Sequence, residues 1–287
     1  MPNSAAKLIQ KAPLLLQAIT LLFGACFSLV ALAQSDLSPT AEPKIELGLG
    51  IAVQSLREYR GSSEHQTNAL PFPYIVYRGD FLELDRDSAK GKLFSSDQIE
   101  LALSADASYT EDNDNNPLRA GMDSLDPTFE LGPSLEVNIT GPNLDQGWLA
   151  RFPVRGVFAV DTSNINIEHV GFLASPKLTY KYPELWVKTN FKFDLGIVYG
   201  DQQYHDYIYG VSALEATITR PEYQAQSGYS GFFVKPGIEG RYGDWWLKAY
   251  LRYDNLAGSK NETSPLYQTD HYLSAGFAIA RVLWKSK

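Results

Sequence analysis

Ile45-Glu46-Leu47-Gly48-Leu49-Gly50-Ile51-Ala52-Val53-Gln54 is a run in which every odd position is aliphatic and every even position is small, acidic or an amide. A β-strand turns successive side chains to opposite faces, so this stretch has one face fit for hydrocarbon and one fit for water. The pattern recurs. Ile99, Leu101, Leu103, Ala105 and Ala107 alternate with Glu100, Ala102, Ser104, Asp106 and Ser108, and Phe129, Leu131, Leu135 and Val137 alternate with Glu130, Gly132, Ser134 and Glu136. Trp148, Phe152, Val154 and Phe158 then face away from Arg151 and Arg155, and Leu185, Val187, Phe191, Phe193, Leu195 and Ile197 face away from Lys188, Asn190, Lys192 and Asp194. A tilted strand needs about 9 to 11 residues to cross a bilayer, whereas globular strands average about 5 or 6. The long runs therefore point to an all-β chain folded as a single closed antiparallel transmembrane β-barrel.

Strands are predicted near 45–56, 69–78, 80–86, 97–109, 128–140, 147–160, 170–181, 184–199, 204–214, 229–242, 244–255 and 270–284. That gives twelve, an even number as a bacterial barrel requires; without the weak segments 80–86 and 204–214 the count is ten. With both termini in the periplasm, Arg78-Gly79-Asp80, Tyr199-Gly200-Asp201 and Tyr242-Gly243-Asp244 become periplasmic turns. The segments 56–69, 87–96, 215–228 and 256–269 become extracellular loops. This order puts the long acidic connection from Glu111 to Pro127 on the periplasmic side, where short turns are the rule.

The N-terminus reads as a targeting segment. Lys7 and Lys11 precede an apolar run from Leu14 to Leu32, and Ala31-Leu32-Ala33 matches a small-residue cleavage site. Residues 1–33 are expected to be a cleaved secretory signal, 34–44 a periplasmic segment and 45–287 the barrel. Lipidation at Cys26 is disfavoured because Phe23-Gly24-Ala25-Cys26 has an aromatic residue where a smaller aliphatic belongs. Cleavage removes the one cysteine, which excludes disulfides and thiol chemistry. No later stretch is long and apolar enough for a membrane helix. Aromatic residues are 13% of the chain, yet mean hydropathy is −0.22, as expected of girdles around a wet interior. A net charge of −8 gives no basic face for nucleic acid.

Catalytic and metal-site candidates are weak. The histidines are His65, His169, His205 and His271, and the pairs His205-Asp206 and Asp270-His271 are neighbours that a strand would point to opposite faces. No clustered ligand spacing is present, so no metal, cofactor or enzymatic activity is expected. Trp245, Trp246, Tyr250, Tyr253 and Tyr272 read as girdle aromatics. Arg281 shares the lipid-facing parity of Phe277 and Ile279, placed to snorkel toward headgroups.

Two sets of residues suggest function. Glu100, Asp106, Glu130 and Glu136 form an acidic wall on neighbouring strands, and Arg151, Arg155, Lys177, Lys188 and Lys192 form a basic one. Opposed walls could orient a small solute in a channel, or the charges could pair and fill the lumen. The connection from Glu111 to Pro127 carries Asp112 and Asp114 as docking carboxylates, with Leu118, Met122 and Leu125 as apolar anchors for a periplasmic partner.

Glu58-Tyr59-Arg60-Gly61-Ser62, Pro71-Phe72-Pro73-Tyr74 and Tyr77-Arg78-Gly79-Asp80 come in order along the chain. Tyr207-Ile208-Tyr209-Gly210-Val211-Ser212, Gly243-Asp244-Trp245 and Ser264-Pro265-Leu266 follow. Together these segments resemble the MltA-interacting protein (MipA/OmpV) family over essentially the whole mature chain. The resemblance implies a Gram-negative outer-membrane barrel in contact with membrane lipid. It further implies a scaffold for a periplasmic murein transglycosylase and synthase. Such barrels end on an aromatic that the barrel-insertion machinery reads; here Trp284 is followed by Lys285-Ser286-Lys287.

Overall fold

The computed structural model describes residues 43–79, 81–84, 89–108, 116–161, 166–186 and 188–286. The expected signal segment 1–33 and most of 34–44 therefore lie outside the described residues, as do Asp112 and Asp114.

The described residues form thirteen strands and one helix. The strands are β1 Ile45–Arg57, β2 His65–Arg78, β3 Leu82–Leu84, β4 Ala89–Ser95, β5 Ile99–Ser108, β6 Thr128–Asn138, β7 Gly147–Asp161, β8 Asn166–Ala174, β9 Lys177–Trp186, β10 Thr189–Gly200, β11 Gly228–Tyr242, β12 Trp245–Asn255 and β13 His271–Lys285. The helix, α1, is Gln202–Tyr209. Each strand pairs antiparallel with its neighbours, and β13 returns to β1, closing the barrel.

The barrel has twelve strand positions, because β8 and β9 are two segments of one. The first part of β7 pairs with β9 (Arg151 opposite Lys177) and the last part with β8 (Val154 opposite Ala174). The break falls at Ser175-Pro176, since proline has no N–H to give the ladder. The hairpin expected around Tyr182-Pro183 instead falls between Trp186 and Thr189, where Lys188 holds φ 59. Leu185 thus belongs to β9, and Val187 lies outside the described residues.

The expected count of twelve holds, but two of its members differ. The strand predicted at 204–214 is α1: Asp201 caps it, its carboxylate accepting from Tyr204 N at 2.8 Å, and the buried His205, Ile208 and Tyr209 follow helical i, i+3, i+4 spacing. The segment 87–96, expected as a loop, contains β4. Its alternation is hidden by a bulge between Lys92 and Phe94 that sets Leu93 beside Phe94 on the exterior.

These two changes invert the order of everything between them. With both chain ends of the barrel at one rim, that rim carries the short connections 79–81, 96–98, 139–146, 187–188 and 243–244. The opposite rim carries 58–64, 116–127, 201–227 and 256–270. The described part of the connection from Glu111 to Pro127, residues 116–127, is therefore on the long-loop rim, which corrects its expected periplasmic place. Tyr199-Gly200-Asp201 is likewise the end of β10 leading into α1 at that rim, not a tight turn.

The exterior is apolar. Leu47, Leu49, Ile51 and Val53 are 41–65% exposed, while Glu46 on the opposite parity is fully buried. Trp148, Trp186, Trp245 and Trp284 all project outward near the short-turn rim, and Tyr199 and Tyr253 project outward toward the other. From Trp245 to Tyr253 the strand rises roughly 20 Å along the membrane normal, allowing a tilt of about 40°. Trp246, Tyr250 and Tyr272, expected as girdle residues, have inward parity instead: Trp246 is 2% and Tyr272 8% exposed. Among the described residues β3 meets β2 only at Tyr77 and Arg78. Arg78 N donates toward β1 (Lys44 O, 2.8 Å) and Gly79 N away from it (Leu82 O, 3.1 Å), so N–H groups at odd positions of β2 would face the β3 side. Pro71 and Pro73 fall there and remove donors from that side.

Candidate functional site

The interior is filled at three levels. The middle level holds the charges. On β6, Glu136 Oε2 lies 3.1 Å from Arg151 Nη2 of β7, its register partner, and Glu136 Oε1 lies 2.7 Å from Lys90 Nζ of β4. Lys90 also reaches Glu100 at 3.3 Å. Arg155 lies 3.1 Å from Glu130 and 3.4 Å from Asp106, and its Nε donates to Ser104 Oγ at 3.1 Å. The acidic and basic walls are thus adjacent and joined at the β6–β7 seam, where register places Glu136 directly opposite Arg151 and Glu130 diagonal to Arg155. On the basic side Lys192 lies 3.9 Å from Asp194, which also accepts from Thr179 Oγ1 at 2.6 Å, and Lys177 stands opposite Gly196 on β10. Lys188 is not part of the wall: it sits exposed in the 187–188 turn.

The second level is a plug at the long-loop rim. Tyr59, Leu125, Ile208, Tyr209, Val211, Ala225 and Leu266 form one buried cluster, with Leu118 and Met122 packed against it. The apolar anchors expected to await a partner are thus packed against the protein's own loops. Side chains lace the loops together. Tyr59 Oη donates to Leu266 O at 2.8 Å, Tyr209 Oη to Arg60 O at 2.8 Å, and Ser264 Oγ to Tyr209 O at 2.8 Å. Arg119 donates to Ile208 O at 3.1 Å, and Arg220 to Leu118 O at 2.6 Å. Asn116 donates to Glu58, whose carboxyl burial nevertheless raises above its ordinary range. Arg60 reaches down into the barrel, 2.6 Å from Asp254, which Arg252 also grips at 2.6 Å.

α1 is the centre of this plug and depends on a glycine. Gly171 of β8 has φ +120, and a Cβ there would meet the Tyr204 backbone and the Asp201 carboxylate. His205, fully buried, has Nδ1 2.6 Å from Gln226 O. Burial lowers its pKa. Tyr207 donates to the Asp126 carbonyl and is pushed up to about 12 by burial.

The third level lies at the short-turn rim. Tyr74, Val76, Trp246, Ala280 and Val282 pack with Phe72, with the Tyr74 and Trp246 rings 5.7 Å apart. Glu46 beside them takes Arg78 at 2.9 Å and also Arg241. Sequence reasoning missed this group by treating Trp245 and Trp246 alike, although adjacent strand residues must face opposite ways. His65, His169, His205 and His271 are dispersed, and no group of ligands able to hold a metal occurs among the described residues.

An apolar exterior closed edge to edge around a charged, plugged interior defines a β-barrel of the outer-membrane type. The chain belongs to the MltA-interacting protein family: the model described as MltA-interacting protein MipA matches residues 47–283. Among curated proteins there is no match. Two solved structures from Pseudomonas aeruginosa are similar only at a distance. OccK2 (OpdF) is 13% identical, with 75% of this chain and 66% of that chain covered and a TM-score of 0.20. OccK11 (OpdR) is 9% identical, with 86% and 100% covered and a TM-score of 0.22. Neither bears on what the chain does.

Proposed function

We propose that this outer-membrane barrel is a non-enzymatic platform with an occluded lumen, holding a peptidoglycan-cleaving transglycosylase and its synthase partner in the periplasm. The observation that carries the proposal is the three-level filling of the interior, which suits an anchor better than a conduit. The family's description, naming interaction with MltA, supports the choice of partner. Short turns mark the periplasmic rim of such barrels. The partner surface is then the rim with 139–146 and 243–244, not the connection from Glu111 to Pro127. On export residues 1–33 are removed, 34–44 remain in the periplasm, and Trp284 of β13 is the aromatic read by the insertion machinery.

A photocrosslinking residue at Asp145, on the short-turn rim, is expected to capture the transglycosylase in intact cells. One at Leu214, fully exposed on the opposite rim, is expected not to. Capture from Leu214 alone overturns the proposal. A second reading, a small-solute channel, is favoured by one observation: the Asp106 side chain remains 60% exposed in the wall, as a group facing lumen water would.

A further inference from the structure

The lipid-facing surface carries a groove of about 550 Å³ between β12, β13, β1 and β2. Register explains its make-up. One row across the strands is Trp245, Arg281, Leu49 and Pro73; the next is Leu247, Ile279, Ile51 and Pro71. The prolines are short and flat, and the row on the short-turn side carries the longer Ile75 and Leu47. The volume falls in the range of about 300–1,000 Å³ typical of small-molecule sites.

Arg281 is the one cation lining this groove. Its guanidinium lies 5.6 Å from the Trp245 ring centroid. Among the described residues its side chain has no ion pair: the nearby Asp244 carboxylate is engaged by Lys285 at 2.7 Å. An arginine on the lipid face of a barrel is costly at the midplane and tolerated near the interface. Trp245 opens β12 directly after the 243–244 turn, which puts the pair at interfacial depth, where lipid phosphates lie.

We propose that this groove binds one glycerophospholipid of the leaflet at the short-turn rim. Its phosphodiester pairs with Arg281 beside Trp245, and an acyl chain lies along Ile279, Ile51, Pro71 and Pro73. Charge complementarity selects the phosphate, because a guanidinium binds it through charge-assisted hydrogen bonds. The apolar floor leading away from Arg281 selects a chain rather than a free anion.

Native mass spectrometry of the barrel released from vesicles of phosphatidylethanolamine and phosphatidylglycerol tests this directly. The wild-type barrel is expected to keep one phospholipid. Arg281→Gln should lower that occupancy about tenfold, and Ile51→Trp, which fills the groove and leaves the cation, should do the same. Heat-dependent gel migration reports that each variant is folded. If Arg281→Gln does not fold, Arg281→Lys with Ile51→Trp decides: retention in the first and loss in the second supports the proposal. Equal retention in wild type and every folded variant overturns it, as does a barrel dimer without lipid or binding of inorganic phosphate with the same dependence on Arg281.

Discussion

Lys90 Nζ lies 2.7 Å from Glu136 Oε1, reaching across β5 from β4 to β6. With Arg151 on the other carboxylate oxygen, Glu136 is held between two cations, and its side chain is 4% exposed. The acidic half of the lumen is therefore neutralised from both flanks.

Removing Lys90 should leave Glu136 and Glu100 short of positive charge in a confined space. Lys90→Met is expected to destabilise the barrel by about 2–4 kcal/mol, since breaking one side of a buried pair costs more than making it gains. Urea unfolding of the reconstituted protein, followed by tryptophan fluorescence, checks this. The double variant Lys90→Met, Glu136→Gln should recover part of the loss.

Gly171→Ala should dislodge α1. The left-handed backbone disfavours any side chain there by about 1–3 kcal/mol, and the new methyl meets Tyr204 and Asp201. Limited proteolysis should then cut within 202–209 faster than in wild type, while the strands remain protected.

Tyr209 is fully buried and ties the plug to the first loop through Arg60 O. Tyr209→Ala is expected to cost about 3–5 kcal/mol of plug stability. Hydrogen exchange in 201–227 and 256–270 should accelerate while β5 and β6 are unchanged.

The plug should loosen in acid through His205, which faces Gln226 O, Asp201, Asp206 and Arg60. Burial sets its folded pKa below the ordinary value near 6.5. Above that value both states are neutral and packing is complete. As pH falls below about 6.5 the unfolded loop takes up a proton that the packed one refuses, so stability drops until the folded pKa is passed. Proteolysis of 201–227 measured from pH 8 to 5 should rise, and His205→Gln should flatten the profile.

The barrel and its exterior were legible in the sequence because lipid and lumen impose strict alternation on long strands such as β1 and β5. β4 was not, because its bulge breaks that alternation at Leu93. α1 was not, because Tyr204, Tyr207, Ile208 and Tyr209 are residues that strands also favour, and its helical spacing spans barely two turns. The charges on β6 and β7 were legible as a set, but their pairing depends on register and on Lys90, which the missing strand supplies. The Glu111 to Pro127 connection changed rims for the same reason: one unseen strand reverses the direction of every strand after it, until a second error restores it.

Single-channel recording in planar bilayers tests the occluded lumen most directly. The wild-type barrel should insert without steady conductance, and Tyr209→Ala, which loosens only one of the three levels, should stay closed as well. A stable open level in the wild type would contradict the account.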